Sequence, residues 1–493
     1  MLDIAIILLY LLIMVGIGVY AYRRKKAASP DGFYVANRSG NTKLIAGSLL
    51  ATIVGASVVV GMAGLGFSRG LSGAWWLLVG TAGLIITGLF LARKVRRSGV
   101  YTLPELAEKQ YDHRAGLSAS VLIVVAWTAV AAAQIVAAGK ILAVLLPYDL
   151  SLLMIGATLV FVLYTILGGQ YSIIRTDFVQ FGILAAGILV SVSLVIFHAG
   201  GPGELLASLP PGFLSFPTGI GFDWYALLVL LVLTGATYVV GPDIYSRLFS
   251  AKNEKVARSS VLTAALITVP LAFGVIFVGM GARVLFPGIL PEQAFPMVIQ
   301  ELLPVGVTGL VVAALLAAIM SSADTVLLTM SVILGQNIYR RTVPGAGEKQ
   351  ALIVSRAGVV VLGGLSLLIA LRMGGVISSL LLAYTIFTSG LVVPIVAGFY
   401  REKLKVNAAG ALCAIVGGGG TALAVKMFDL RYFELLGFGV CIVLLFGVSW
   451  LTRTSLAESI LSRGRISADG DSVAGALMLQ DKGKRSHDPD GPL

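Results

Sequence analysis

The stretch AAIMSSADTVLLTMS, Ala317 to Ser331, sets two serines, a carboxylate and a threonine inside an apolar run of membrane length. On a helix, residues three and four apart share a face, so Ala318, Ser321, Ser322 and Thr325 form one stripe with Asp324 at its flank. Two readings are open. Serine and threonine hydroxyls bond neighbouring carbonyls where membrane helices meet. A charge near the bilayer centre, costing roughly 2.5–3.5 kcal/mol on insertion scales, marks an ion or substrate path. For the hydroxyls alone the first reading is the natural one. Asp324, with no Lys, Arg or His in its own segment, tips the balance to the second.

Such oxygens need partners from other segments. The run Ser48 to Gly70 carries Gly55, Gly61, Gly64 and Gly66, and a later segment carries Gly235 and ends in VVGPDIYSR with Gly241-Pro242. Glycines permit helix breaks, which expose backbone carbonyls and amides, and transporters bind cargo at broken helices in equivalent positions of two repeats. Glycines equally permit close helix packing. A third stretch, GGQYSIIRTDFVQ, Gly168 to Gln180, places Asp177 near a helix start, where the helix dipole favours a carboxylate and Arg175 is at hand to pair with it.

The elements positioning these residues follow from composition. Of 493 residues, 57% are hydrophobic and 12% charged. A soluble domain carries about a quarter charged residues, so the chain is an all-α polytopic membrane protein embedded in a lipid bilayer. Thirteen spans are expected, at 2–22, 43–67, 73–92, 115–146, 150–168, 177–198, 223–241, 259–285, 306–334, 352–371, 376–398, 407–427 and 433–451. The first is read as a retained helix, because the basic run Arg23, Arg24, Lys25, Lys26 follows the apolar stretch, whereas a signal peptide carries it in front. With the N-terminus outside and the C-terminus inside, thirty of the thirty-six Lys and Arg residues fall on the inner side. The net charge of +12 therefore reflects topology and gives no support for nucleic-acid binding. Outer loops at 199–222 and 286–305 are rich in Pro and Gly, and the polar tail after Trp450 reads as cytoplasmic and disordered. It is too short for a nucleotide-binding or kinase domain, which argues against an ATP-driven pump. Cys413 and Cys441, and His113, His198 and His487, have no metal-like spacing.

GGQYSIIRTDFVQ resembles the signature of the sodium:solute symporter family. DGFYVANRSG resembles the family's first inner loop, SRLFSAKNEKVARSS its basic loop after the seventh span, and AAIMSSADTVLLTMSVILGQNIY its ninth span. The resemblance implies a leucine-transporter-type 5+5 inverted repeat. A peripheral N-terminal helix and inner loop (1–42) would precede a first repeat (43–198, second to sixth spans), an outer loop (199–222) and a second repeat (223–400, seventh to eleventh spans). Peripheral helices (401–452) and the tail (453–493) would follow. The second and seventh spans would be broken. The resemblance further implies sodium as the coupling ion, held by the carbonyls of Ala51, Val54 and Ala318 and the hydroxyls of Ser321 and Ser322. A possible second sodium site would use Asp177, Asp324 and Thr325 beside Ser321. Several branches carry an acid at the place of Asp324, which leaves sodium ligation, proton carriage or pairing open for it.

No catalytic constellation is present, and no enzyme is expected. The implied function is sodium-driven symport of a small organic solute across the cell membrane. Sugar-carrying members place an acid and an amide where this chain has Ser57 and Val58, so an amino acid, a small carboxylate or a vitamin-like acid is expected instead. Candidate solute-lining residues are Ser57, Gly61, Trp127, Gln134, Thr234, Thr237, Tyr238, Tyr384, Thr385 and Thr388. Lys140, near the outer end of its span, would attract an anion or snorkel. Proton-coupled symport on the same fold, and a transporter-like membrane receptor, are the alternatives.

Overall fold

The computed structural model describes residues 2–23, 29–55, 57–372, 375–428, 430 and 432–453, without the side chains of a few, Ser57 among them. The expected tail lies outside the described residues from 454 onward, as do Arg24, Lys25 and Lys26 of the basic run. The described chain is helical, with two isolated β-bridges and no strand among the described residues. Eleven helices are long and apolar enough to cross a membrane, and Leu2–Met14 and Thr42–Ile53 are shorter apolar helices.

The long helices are labelled α1 (Leu2–Arg23), α2 (42–69, interrupted), α3 (75–97), α4 (His113–Leu142), α5 (Leu150–Leu167), α6 (Gly169–His198) and α7 (Trp224–Ser250, interrupted). They continue with α8 (Glu254–Leu285), α9 (Val307–Thr342), α10 (Glu348–Ala370), α11 (Val376–Gly398), α12 (Ala408–Met427) and α13 (Leu436–Arg453). An Asn or Asp side chain starts several of them by accepting an otherwise orphaned amide: Asn41 from Leu44, Asp112 from Ala115, Asp223 from Ala226, Asn253 from Val256 and Asn407 from Gly410.

α9 is the central post. Its apolar window is 94% buried, against 39% for α10 and 33% for α6, so protein surrounds α9 while its neighbours turn one face outward. Large exposed apolar side chains such as Leu9, Leu12, Leu189, Phe197, Val361 and Leu368 form that outward belt, as a hydrocarbon surround requires.

Two interruptions set the site. In α2 the regular helix ends at Ile53, Val54 leaves helical geometry (φ −90°, ψ 54°), and the chain resumes as a wide turn at Ser57–Met62. In α7 it ends at Val240, Gly241 is extended (φ −49°, ψ 128°), and Pro242 opens the next helical piece. Pro suits a first helical position, where its missing N–H costs nothing. The Thr87 hydroxyl, from α3, lies 2.9 Å from the Val239 carbonyl freed by this break. Gly61, Gly64 and Gly66 mark no further break. They permit contact with Ile377, Pro291 and Ile276 respectively.

The helix boundary near GGQYSIIRTDFVQ differs from expectation. α5 and α6 meet at Gly169, whose backbone is left-handed (φ 54°, ψ −171°) and where a Cβ would come within 2.6 Å of the Phe33 ring. Asp177 therefore lies two turns inside α6, not at its start. The two loops expected on the inner side touch: the Gly40 amide bonds the Ser250 carbonyl (3.1 Å) and the Lys252 amide the Gly40 carbonyl (2.8 Å).

Candidate functional site

The stripe on α9 meets the end of the first half of α2. The Ser321 hydroxyl lies 2.9 Å from the Ala51 carbonyl and 2.9 Å from that of Ala318. Ser322 Oγ lies 2.8 Å from the Thr52 carbonyl, 3.3 Å from that of Ala318 and 3.5 Å from that of Ala51. Both serines are buried. Five oxygens thus crowd together with two hydroxyl protons to share among them, and each hydroxyl donates once. Because α2 stops at Ile53, the Ala51 and Thr52 carbonyls are among its last four, which have no partner inside the helix. An oxygen cluster poor in protons and shielded from water suits a dehydrated, hard monovalent cation. Of the five expected ligands, the structure gathers Ala51, Ala318, Ser321 and Ser322. Val54 sits at the break with its amide on Leu50 (2.9 Å), and no described bond ties it to either serine. The Thr52 carbonyl, which sequence reasoning passed over, stands in the cluster instead.

Gly55 makes this approach possible. A Cβ there would come within 2.8 Å of Ser322 Cβ and 3.0 Å of Gln134 Oε1, and closer still to Ser322 Oγ.

Below lies a second polar cluster, arranged otherwise than expected. Asp177 pairs with Arg247, not Arg175: Arg247 Nη2 lies 2.9 Å from Asp177 Oδ2, with both side chains out of solvent. The same guanidinium donates to Ser48 (3.0 Å) and to the Thr325 hydroxyl, and Ser48 donates to Asp177 (2.5 Å). Arg175 stacks on the Tyr171 ring, 3.6 Å from its centroid, and donates to the Tyr171 carbonyl. Asp324 accepts from Thr165 (3.1 Å). Of Asp177, Asp324 and Thr325, a tethered cation, Arg247, binds two, Asp177 and Thr325. Asp177 Oδ1 and Asp324 Oδ2 have no hydrogen-bond partner among the described residues.

Beside the upper cluster, Trp127, Gln134, Thr237, Tyr238 and Tyr384 line a small cavity together with Thr52, Val130, Val326 and Asp243. Its volume of about 30 Å³ holds a water or two. Trp127 packs edge-on against Phe387 at 4.6 Å, and its indole N–H has no partner among the described residues. Four other expected residues do not line the cavity. Gly61 packs on Ile377, Thr385 bonds back to Leu381 (2.7 Å), Thr388 bonds the Leu233 carbonyl (2.7 Å) and lies against Thr237 (2.7 Å), and Thr234 is fully buried. The Ser57 side chain lies outside the described residues. Asp243 joins the lining without having been expected there; its place one residue after the Gly241-Pro242 break was the available signal. Lys140 pairs with Glu292.

A profile of the sodium:solute symporter family matches residues 33–418. The chain belongs to this family. A sodium/glucose cotransporter of Vibrio parahaemolyticus is 27% identical over 97% of this chain and 94% of its own length. Sodium/glucose cotransporter 1 of Oryctolagus cuniculus is 25% identical, over 89% and 73%. Among solved structures, a sodium-coupled sialic acid symporter in a substrate-bound outward-open state superposes with a TM-score of 0.78 at 20% identity, over 92% of this chain and 98% of its own. The nucleobase-cation-symport-1 transporter MHP1, in a closed conformation, superposes at 0.61 with 16% identity, over 87% and 95%. The fold is the leucine-transporter type. As a sodium:solute symporter the chain is a multi-pass, sodium-coupled transporter and not an enzyme.

Proposed function

We propose that this chain drives a small organic solute into the cell with one sodium ion, bound by the Ala51, Thr52 and Ala318 carbonyls and the Ser321 and Ser322 hydroxyls. The observation that carries the reading is the five-oxygen cluster at the seam between the broken α2 and α9. Carbonyls freed by an interrupted helix are what transporters of this architecture present to a coupling ion. A sodium ion moving inward gains about 2.3 kcal/mol per 100 mV and about 1.4 kcal/mol per tenfold concentration ratio. That suffices to concentrate a neutral solute.

The wider arrangement belongs to the same proposal. Thirteen spans cross the plasma membrane with the N-terminus outside and the C-terminus inside, α2–α6 and α7–α11 forming the inverted repeats. The second cation position is filled from within, because the Arg247 guanidinium bonds Asp177, Thr325 and Ser48, which supports one sodium over two. The solute sits in the cavity between Trp127, Gln134, Tyr238 and Tyr384. Relatives are named for glucose and sialic acid carriage. Amino acids, small carboxylates and vitamin-like acids remain the classes that the Ser57 and Val58 positions suggest. The unpartnered oxygen of Asp324 supports a second reading, coupling to protons.

Uptake into proteoliposomes separates the two. Accumulation under an inward sodium gradient, abolished when potassium replaces sodium, supports the proposal. Accumulation under a proton gradient in sodium-free medium overturns it in favour of the second.

A further inference from the structure

A carboxyl group lines the cavity beside the upper cluster. It belongs to Asp243, half-buried, so part of its surface opens into the cavity. The side chain sits at the start of the helical piece after the α7 break, with Oδ1 turned toward Gly241. None of the side chains lining the cavity is Lys, Arg or His. Arg247, one turn further along the same piece, is engaged by Asp177, Ser48 and Thr325. Arg247 acts on the Asp243 carboxylate from along the helical piece, shared with Asp177, while no basic side chain lines the cavity itself. Three aromatic rings, Trp127, Tyr238 and Tyr384, share the lining, and aromatic faces attract cations through their quadrupoles.

We infer that the cavity selects a small solute carrying a positively charged nitrogen, with Asp243 as its counter-ion and the aromatic rings as its walls. This rests on the proposed symport site and narrows its substrate class. A simple carboxylate entering here would face Asp243 across a medium of low dielectric, where repulsion between like charges is strong. A neutral sugar would offer the carboxylate hydrogen bonds but no opposite charge, and charge-assisted hydrogen bonds are roughly twice as strong as neutral ones. An amine, a quaternary ammonium compound or an amino acid supplies that opposite charge. With room for only a water or two, the cavity admits such a solute after the side chains around it open.

The test is a thermal-shift panel on the full-length protein in sodium-containing buffer, since a ligand of the native state raises its apparent stability. The probes are choline, ethanolamine, glycine, proline, acetate and glucose. Stabilisation by at least one ammonium-bearing probe, with none from acetate or glucose, is expected. Asp243→Asn should weaken that binding at least tenfold, and Asp243→Glu, which keeps the charge, should retain the selectivity. Stabilisation by acetate or glucose, inactivity of all ammonium-bearing probes, or unchanged ammonium affinity in Asp243→Asn overturns the inference. Should Asp243→Asn fail to fold, the selectivity of the unaltered protein decides. Sodium alone should still stabilise Asp243→Asn. Loss of the sodium effect in the unaltered protein counts against the symport proposal instead, so the two failures are told apart.

Discussion

At the scale of single residues, the upper cluster is a shortage of protons. Ser321 and Ser322 have one each to offer to three carbonyls, and a cation resolves the excess of lone pairs. Ser321→Ala removes one of five oxygens, and the sodium concentration for half-maximal uptake should rise about tenfold, equivalent to roughly 1.4 kcal/mol. An unchanged sodium response would take Ser321 out of the site. The lower cluster makes a different prediction. Asp177→Asn leaves the Arg247 guanidinium without its counter-ion, and breaking one side of a buried pair costs about 3–5 kcal/mol. Combined with Arg247→Met, the loss should be partly recovered, because neither member of the pair is then left charged without the other; thermal denaturation of the purified variants measures both. The α9 stripe was legible in the sequence because hydroxyls and a carboxylate stand out against hydrocarbon. The true partner of Asp177 was not. Arg175 is two residues away, and on a helix that spacing points two side chains to different faces. Once α6 starts at Gly169, the pairing is geometrically excluded, and the partner comes from 70 residues away.

At the scale of elements, the breaks decide which backbone oxygens are available. The Gly241-Pro242 break was readable, because proline opens a helix and does not continue one. The α2 break was less so. Gly55, Gly61, Gly64 and Gly66 all lie in that run, and a sequence does not say which one interrupts the helix and which admit a neighbour. The structure separates them by what surrounds each: Gly64 and Gly66 approach the backbone of Pro291 and Ile276, while Gly55 approaches Ser322 and Gln134. Gly55→Ala should therefore push α2 away from α9. Overpacking of this kind costs about 1–3 kcal/mol, and it falls where the oxygens meet. The expected outcome is a folded protein, judged by its elution as a single species, whose sodium-induced thermal shift is lost. Gly64→Ala, also tight but against the Pro291 backbone in the segment between α8 and α9, should lower stability while preserving the sodium response. If both variants behave alike, the α2 break has no special relation to the ion.

At the scale of the molecule, a symporter must close one end while it opens the other, and the structure holds contacts suited to each end. On the proposed inner side, Arg97 makes a bidentate pair with Glu254 (3.0 and 2.9 Å), joining α3 to α8, and Thr102 bonds Asn337 (2.8 Å). On the proposed outer side, Glu292 of the segment between α8 and α9 pairs with Lys140 at the end of α4 and accepts the amide of Val376 at the start of α11 (3.2 Å). One carboxylate therefore ties three elements together above the cavity, and they cannot separate without breaking it. With side-chain exposures of 23% and 30%, the Lys140–Glu292 pair is partly screened, and such pairs contribute up to about 1 kcal/mol. That corresponds to about a fivefold change in the population of an open state. Glu292→Gln should accordingly favour the outward-open state. A cysteine placed at Val130, which lines the cavity and is buried, reports it once Cys413 and Cys441 are replaced by alanine. A membrane-impermeant thiol reagent added from outside should label Val130→Cys about five times faster with Glu292→Gln than without it. Equal rates would mean that the outer path is closed by packing alone. Slower labelling would place this carboxylate on the side of opening.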